Sequence, residues 1–322
     1  MDNAPFCSVI IPAFNEEQNI EESLLSLGHQ SYPRDHYEII VVDNGSSDRT
    51  PQIASTYADL VLNKPEGNVG AVRNYGIANA SGEVIICTDA DCLVPRDWIE
   101  KGVVLLQKQA HQVFGGGLRT REGAGWVEKY WTLNESGKST QQRSLMGSSI
   151  FIWKKDLDRV GDFNEFITSG EDTDLSERAV ANGLMVTISA DLSVVHLGCA
   201  DTLGDFIRRQ IWHSENYILD FKNSLKDKVF WLTLIYLSGL TTAMTMIFKA
   251  NFLFAIIALA SIQVPAVILS LKRITRGAWR VNSLGEVSKI VSLDNFYLIG
   301  RSIGVLKGTF KTVSRPKGRL DR

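Results

Sequence analysis

Two carboxylates one residue apart, Asp89 and Asp91, follow the apolar run from Val84 to Cys87, which predicts a buried strand. Carboxylate oxygens suit a hard divalent cation, and Mg²⁺ keeps open positions that substrate phosphates can fill. Paired acids at the carboxyl end of a strand therefore predict a metal site for a nucleoside diphosphate. The alternative for this pair alone is a surface turn, because Asp-x-Asp is common in loops.

The elements around this pair alternate between strand and helix, which predicts an α/β fold with a mostly parallel sheet. Pro12, Asp43 and Asp89 fall at the ends of predicted strands, so they should line one crevice. Ser47 or Asp48 is expected to cap the helix that begins near Thr50. The predicted strands are Cys7–Ile11, Tyr37–Val42, Ala58–Leu62, Val84–Cys87, Val113–Thr120, Ser149–Trp153, Met185–Ile188 and Leu192–His196, and the helices include Val69–Ala80, Glu171–Asn182 and Leu203–Lys222.

Charge is unevenly distributed along the 322 residues, which carry a net charge of −2 and are 44% apolar. The 44% apolar content is typical of an ordered protein. From Lys272 to Arg322 there are twelve Lys or Arg and three acids, a net charge of +9. Such a tail is expected to bind an anionic surface, either lipid headgroups or nucleic acid.

Two long uncharged runs, Val229–Phe248 and Phe252–Leu271, precede this tail and favour lipid over nucleic acid. Each is long enough to cross about 30 Å of hydrocarbon as a helix. We predict a membrane hairpin over residues 226–273, with Pro265 bending its second helix. Basic residues flank the hairpin on both sides, so both flanks are predicted to be cytoplasmic. The alternative is a pair of buried helices in a soluble core.

The remaining segments complete a three-part organisation. Residues 1–225 are predicted to form a cytoplasmic catalytic domain and residues 274–322 a basic tail that is cytoplasmic or interfacial. Within the tail, Asn282–Phe310 fits an interfacial helix better than a third span. The first residues, MDNAPFCSVII, do not predict a secretory signal, and the four cysteines are expected to be reduced.

The chain resembles the family 2 glycosyltransferases, enzymes of the GT-A fold that transfer a sugar from a nucleotide-sugar with inversion at the anomeric carbon. The resemblance extends from about Cys7 to His196. Its motifs are VIIPAFNEEQNI (9–20), IIVVDNGSSDRT (39–50), NVGAVRNYGIANASGEVIICTDAD (68–91) and SGEDTDLSERAVANG (169–183).

This resemblance implies a role for particular residues of the chain. The loop that contains Pro12, Ala13, Asn15 and Glu16 would pack around the nucleotide base. Beyond that loop, Asp43 would bind the base or ribose, and Arg73 would bind the diphosphate or base edge. Asp89 and Asp91 would bind the ribose and an Mg²⁺ or Mn²⁺ ion, and His196 would bind the same ion. Asp172 would be the catalytic base.

General chemistry agrees with these roles. A divalent ion neutralises the charge that develops on the departing diphosphate, so no protonated acid is needed at the leaving oxygen. One carboxylate on the opposite face of the sugar must take the acceptor's proton, and Asp172 at a helix start can provide it. For Glu171 the sequence instead predicts an acid that only stabilises the helix dipole.

Processive synthases of this superfamily carry a Gln-x-x-Arg-Trp motif, which is absent here, so transfer of a single sugar is expected. UDP-sugar is the expected donor and a lipid-linked or cell-surface glycan precursor the expected acceptor. Two alternatives remain open. Asp89–Val94 also resembles the nucleophile motif of haloacid dehalogenase-type phosphatases, and a catalytically silent membrane scaffold would keep the same fold.

Overall fold

The computed structural model describes residues 4–109, 111–134, 140–141, 144–167, 170–215, 217–218, 221–249, 251–276 and 280–313. It divides into two compact units. The first contains Met1–Arg121 and Glu135–Cys199, and the second contains Glu122–Asn134 and Ala200–Arg322. The predicted three-part organisation stays a prediction.

The strands and helices below are numbered in chain order. The strands are β1 Cys7–Ala13, β2 Tyr37–Asp43, β3 Leu60–Asn63, β4 Val84–Cys87, β5 Cys92–Leu93, β6 Gln112–Gly115, β7 Leu118–Arg119, β8 Thr140–Gln141, β9 Ile150–Trp153, β10 Met185–Ile188 and β11 Val194–His196. The α-helices are α1 Ile20–Gly28, α2 Thr50–Tyr57, α3 Val69–Ala78, α4 Trp98–Lys108, α5 Trp126–Trp131, α6 Lys154–Val160, α7 Glu171–Ala181, α8 Leu203–Glu215, α9 Phe221–Ser224, α10 Lys228–Phe248, α11 Phe252–Ser261, α12 Gln263–Arg276 and α13 Leu284–Val313.

The first unit is built on a mixed sheet of strand order β3-β2-β1-β4-β9-β6-β10-β8. Strands β1 to β4 are parallel, as predicted, whereas β9 is antiparallel to both of its neighbours. Side chains of β1 alternate between two cores, with Val9 and Ile11 in one and Ile10 in the other. Both faces of the sheet are therefore buried, which explains the continuous apolar runs of its strands.

A second, three-stranded sheet has the order β5-β11-β7. It divides the predicted Val113–Thr120 strand in two, because β6 joins the large sheet and β7 the small one. Gly116 lies at the break, where an added Cβ would overlap the carbonyl of Leu192. In the small sheet His196 pairs with Cys92, directly after Asp91.

The second unit is helical, and its long helix α13 packs against α8, α12, α10 and α5. The contact with α8 is made at Gly300, Gly304 and Gly308, which recur every fourth residue. An added Cβ would lie 2.7 Å from Gln210 at the first of these positions and would overlap the backbone of α8 at the other two. Small residues at this spacing let two helix backbones approach closely.

A buried ion pair links α12 to α13. Arg273 Nη2 lies 2.8 Å from Asp294 Oδ1, and Asp294 is fully buried. Ser270 Oγ donates to the other carboxylate oxygen at 2.8 Å, and Arg273 Nη1 donates to the carbonyl of Trp131 at 2.9 Å. Asp294, which interrupts an apolar pattern in the sequence, is thus a paired core residue of this unit.

Two stretches of this unit, Lys228–Phe248 and Phe252–Thr275, are long and apolar enough to cross a membrane by length and composition. The second is interrupted at Ile262, between α11 and α12. Pro265 lies in the first turn of α12, where its missing N–H costs no helix hydrogen bond. The interruption lies three residues before Pro265, while the predicted bend at this proline stays a prediction.

Candidate functional site

The loops after β1 and β2 are joined by backbone and side-chain hydrogen bonds. Asn15 Oδ1 accepts from the Ser47 amide at 2.9 Å, and the Asn15 amide donates to Ser46 Oγ at 2.9 Å. The Glu16 amide donates to Thr50 Oγ1 at 2.7 Å. Asn15 has a φ of +55°, a backbone conformation that asparagine tolerates better than most residues. These bonds fix the loop that contains the predicted base-binding residues.

Pro12 and Ala13 lie at the end of β1, and Ala13 pairs with Asp43 at the end of β2. The Asp43 carboxylate accepts from the Gly45 amide at 3.1 Å and the Ser46 amide at 3.2 Å. A carboxylate has about four acceptor positions, so these bonds leave capacity for a ligand. Pro12, Ala13 and Asp43 thus reach the carboxyl edge of the sheet together.

The predicted helix cap after β2 comes from Asp48 rather than Ser47. Arg49 occupies the cap position itself, while Asp48 Oδ1 accepts from the Thr50 amide at 2.9 Å. Asp48 Oδ2 accepts from the Glu17 amide at 3.1 Å. One aspartate therefore serves both the start of α2 and the neighbouring loop.

Arg73 is buried between two carboxylates. Its Nη2 donates to Asp89 Oδ1 at 2.8 Å and its Nη1 to Glu171 Oε1 at 2.5 Å. Burial alone would lower the Arg73 pKa, but Asp89 and Glu171 outweigh it and raise that pKa above its usual value. Arg73 stays charged, and it places Asp89 and the start of α7 at the same edge of the sheet.

Asp172 follows Glu171 in the first turn of α7 and is held by two backbone amides. Gly147 N–H donates to Asp172 Oδ2 at 3.0 Å, and Thr173 N–H donates to Oδ1 at 2.7 Å. Burial raises the pKa of the Asp172 carboxyl, the negative charge of Glu171 adds to this, and both amides oppose it. A raised pKa makes a carboxylate a stronger proton acceptor once it is ionised.

Asp91 and His196 form a second pair of close side chains in the site. His196 Nδ1 lies 3.3 Å from Asp91 Oδ2, close enough for an ion pair but without hydrogen-bond geometry. Gly198 lies against the same carboxylate, because an added Cβ there would overlap Asp91 Oδ2. Burial raises the pKa of nearby Glu16, and the charges of Asp91 and Asp89 add to it. Glu16, Asp89, Asp91 and His196 therefore share one electrostatic environment.

This part of the site fits a divalent cation. Ligand atoms of Asp89, Cys92 and His196 lie within 4.8 Å of one another. Burial raises the pKa of the Cys92 thiol well above its usual value, so the sulfur is protonated and a poor ligand for a hard ion. The carboxylates of Asp89 and Asp91 are oxygen ligands of the kind that Mg²⁺ and Mn²⁺ prefer, and His196 offers an imidazole nitrogen beside them.

The sequence pattern did not predict the contacts that Glu171, Gly147 and Gly198 make in the site. Glu171 is in the first turn of α7, as predicted, but its buried side chain binds Arg73 rather than only stabilising the dipole. Gly147 and Gly198 contact Arg73 and Asp91 where a Cβ does not fit. No periodic pattern marks such a glycine, because the requirement comes from a distant part of the chain.

Comparison with known proteins decides the family. Residues 8–161 match the family model described as glycosyl transferase family 2. Glycosyltransferase AglE of Haloferax volcanii is 30% identical over 219 residues, which cover 64% of this chain and 71% of AglE. The chain belongs to glycosyltransferase family 2. This family membership leaves no support for the phosphatase alternative.

Further relatives agree with this glycosyltransferase fold. The beta-monoglucosyldiacylglycerol synthase of Trichormus variabilis is 28% identical over 262 residues, which cover 72% of this chain and 55% of the synthase. The mannosyltransferase PcManGT of Pyrobaculum calidifontis, solved with GDP-Man and Mn²⁺, superposes with a TM-score of 0.60 at 20% sequence identity. The matched region covers 94% of this chain and 88% of the PcManGT chain. The structural likeness confirms the predicted GT-A fold.

Proposed function

We propose that this family 2 glycosyltransferase is a metal-dependent, inverting enzyme that transfers one sugar from a nucleotide-sugar to a lipid-linked or cell-surface glycan precursor. The observation that carries the proposal is the Asp89–Arg73–Glu171 bridge, in which Arg73 joins the carboxylate after β4 to a carboxylate in the first turn of α7, next to Asp172. UDP-sugar is the proposed donor.

Each part of the site has a separate task in this reaction. Asp89, Asp91 and His196 would hold Mg²⁺ or Mn²⁺, which when bound offsets the negative charge of the diphosphate. The loop from Pro12 to Glu16 and Asp43 bind the base and ribose. The Asp172 carboxylate accepts the proton of the acceptor hydroxyl as its oxygen attacks the anomeric carbon, and the diphosphate departs from the opposite face. Inversion follows from this single displacement.

Asp172 suits the role of the base because its environment sets its proton affinity and its orientation. The amides of Gly147 and Thr173 fix the two carboxylate oxygens. Burial raises the pKa of Asp172, which increases the driving force for proton transfer to its ionised carboxylate. Its neighbour Glu171 is paired with Arg73 and is not available as a base.

A membrane location supports a lipid acceptor. Two stretches of the second unit have the length and composition of membrane spans, and many of their apolar side chains are exposed, among them Phe248, Phe252 and Leu253. A buried soluble hairpin would not expose such side chains. We propose that α10 to α12 enter a cytoplasmic membrane with the catalytic unit on the cytoplasmic side, and that the basic tail binds anionic lipid.

The test is a screen of nucleotide-sugars for metal-dependent release of nucleoside diphosphate, with UDP- and GDP-sugars and membrane lipid extract as acceptor. We expect one donor to be used, with activity lost in chelator and restored by Mn²⁺ or Mg²⁺. Asp91→Asn should weaken metal-dependent donor binding. A full rate with a soluble acceptor after delipidation would contradict the lipid acceptor, and no turnover of any donor would favour a silent scaffold.

A further inference from the structure

We infer that Arg73 and Glu171 are positioning residues that hold the base Asp172 at a fixed position relative to the metal-binding residues Asp89 and Asp91. The inference rests on the proposed function, because the orientation of Asp172 matters only if this group takes a proton. It gives Arg73 a role other than the donor contact that the family resemblance implies.

The first step is the geometry of the guanidinium group. Its two terminal nitrogens bind Asp89 at 2.8 Å and Glu171 at 2.5 Å, and Arg73 is only 2% exposed. The planar fork of arginine fixes two acceptors relative to each other, which the point charge of lysine does not do. Arg73 therefore sets the distance between the end of β4 and the start of α7.

The second step closes a ring through Gly147. An added Cβ on Gly147 would overlap Arg73 Nη2, so this peptide lies directly on the guanidinium group. The amide of the same residue donates to Asp172 Oδ2 at 3.0 Å. Arg73 thus reaches the base by two routes, through Glu171 and the helix backbone and through the Gly147 peptide.

The third step is charge. Glu171 is buried beside Asp172, and its negative charge disfavours a second ionised carboxylate. Arg73 compensates Glu171 across a direct ion pair. Without Glu171, Arg73 would keep Asp89 but lose its hold on α7. The expected defect is therefore a misplaced base with the donor still bound, which lowers kcat and leaves donor KM nearly unchanged.

The experiment compares Glu171→Gln and Arg73→Lys with Glu177→Gln, which makes the same charge change at an exposed acid of α7. A displacement of about 1 Å can cost about a hundredfold in rate, so we expect kcat to fall about tenfold in Glu171→Gln and about a hundredfold in Arg73→Lys. In Glu171→Gln, donor KM and Mn²⁺-dependent binding of the nucleoside diphosphate, measured by calorimetry, should change less than about twofold. Arg73→Lys also loosens Asp89, so it should in addition weaken Mn²⁺-dependent binding. Glu177→Gln should match the wild type.

Three outcomes would overturn the inference. A rise in donor KM in Arg73→Lys with unchanged kcat would make Arg73 a donor ligand. A kcat of Glu171→Gln equal to that of Glu177→Gln would remove the positioning role while leaving the proposed function intact. Wild-type protein that transfers no sugar would overturn the proposed function and this inference together. If Arg73→Lys does not fold, Glu171→Gln alone decides, because it keeps the size of the side chain and removes the ion pair with Arg73.

Discussion

The carboxylate of Asp91 lies against Gly198, so closely that a methyl group on this glycine would overlap Oδ2. The two residues come from different segments, one following β4 and the other β11. The Leu197 amide also donates to the Asp91 carbonyl at 2.7 Å, which fixes both backbones. Gly198 therefore limits the space around the Asp91 oxygen that lies 3.3 Å from His196 Nδ1.

Gly198→Ala should displace the Asp91 side chain and weaken the metal site. We expect the Mn²⁺ concentration for half-maximal activity to rise about tenfold, in line with the loss from disturbed support of metal ligands. The matched control is Gly28→Ala, because a Cβ at Gly28 meets nothing within 4 Å. An unchanged metal titration of Gly198→Ala would show that Asp91 does not bind the ion.

Asp172→Asn should abolish transfer and leave donor binding intact. The amide occupies the same space but cannot accept the proton, and loss of a general base typically costs about 10²–10⁴-fold in rate. Transfer is measured as kcat with saturating donor, and binding by calorimetry with nucleoside diphosphate and Mn²⁺. Activity that survives this substitution would remove the base assignment.

The pH dependence of this enzyme should reflect the raised pKa of Asp172. The base must be ionised, so kcat should fall as pH drops through the raised pKa, at a higher pH than an ordinary aspartate would give. The pH dependence of the stability contributed by Asp172 has the opposite sign to that of kcat. The folded protein binds this proton more tightly than the unfolded chain does, so the contribution of Asp172 to stability decreases as pH rises from the ordinary to the raised pKa. The pH profile of kcat tests the first prediction, and denaturation of the wild type and Asp172→Asn across this range tests the second.

Gly304→Ala should separate α8 from α13. Its Cβ would overlap Ser214 Oγ and the carbonyl of Ile211, and such overpacking typically costs about 1–3 kcal/mol. Gly285→Ala, also on α13, meets only Ser283 Oγ at 3.8 Å and should be neutral or slightly stabilising. Thermal denaturation measures both variants, and equal melting temperatures would contradict the packing.

Asp294→Leu should destabilise the second unit, because it leaves Arg273 buried without its partner. Removing one member of a buried ion pair costs about 3–5 kcal/mol. The double variant Arg273→Met, Asp294→Leu should recover much of this loss, since apolar pairs often replace buried ion pairs at little cost. No recovery in the double variant would mean that the hydrogen bonds of this pair to Ser270 and to the Trp131 carbonyl, rather than the ion pair, stabilise the unit.

Several features could be predicted from the sequence alone. The strand ends that carry Asp43 and Asp89 follow from apolar runs and turn residues, and the apolar runs of α10 to α12 follow from composition. The break of the Val113–Thr120 run could not be predicted, because its cause is the distant carbonyl of Leu192 against Gly116. The partner of Glu171 was missed for the same reason, since Arg73 lies far away along the chain. The local sequence pattern predicts which strand or helix contains a residue, but the contacts of that residue with distant parts of the chain are known only from the folded structure.

The interleaved division of the chain limits how the enzyme can be shortened. The stretch that forms α5 lies within the catalytic sequence, yet Val127 and Tyr130 belong to the same apolar cluster as Ile290 and Leu298 of α13. A chain that ends before α10 would lack α13, so the apolar side chains of α5 would be exposed to solvent. A protein shortened at this point should therefore aggregate, and purification of the intact polypeptide is the sounder route to active enzyme.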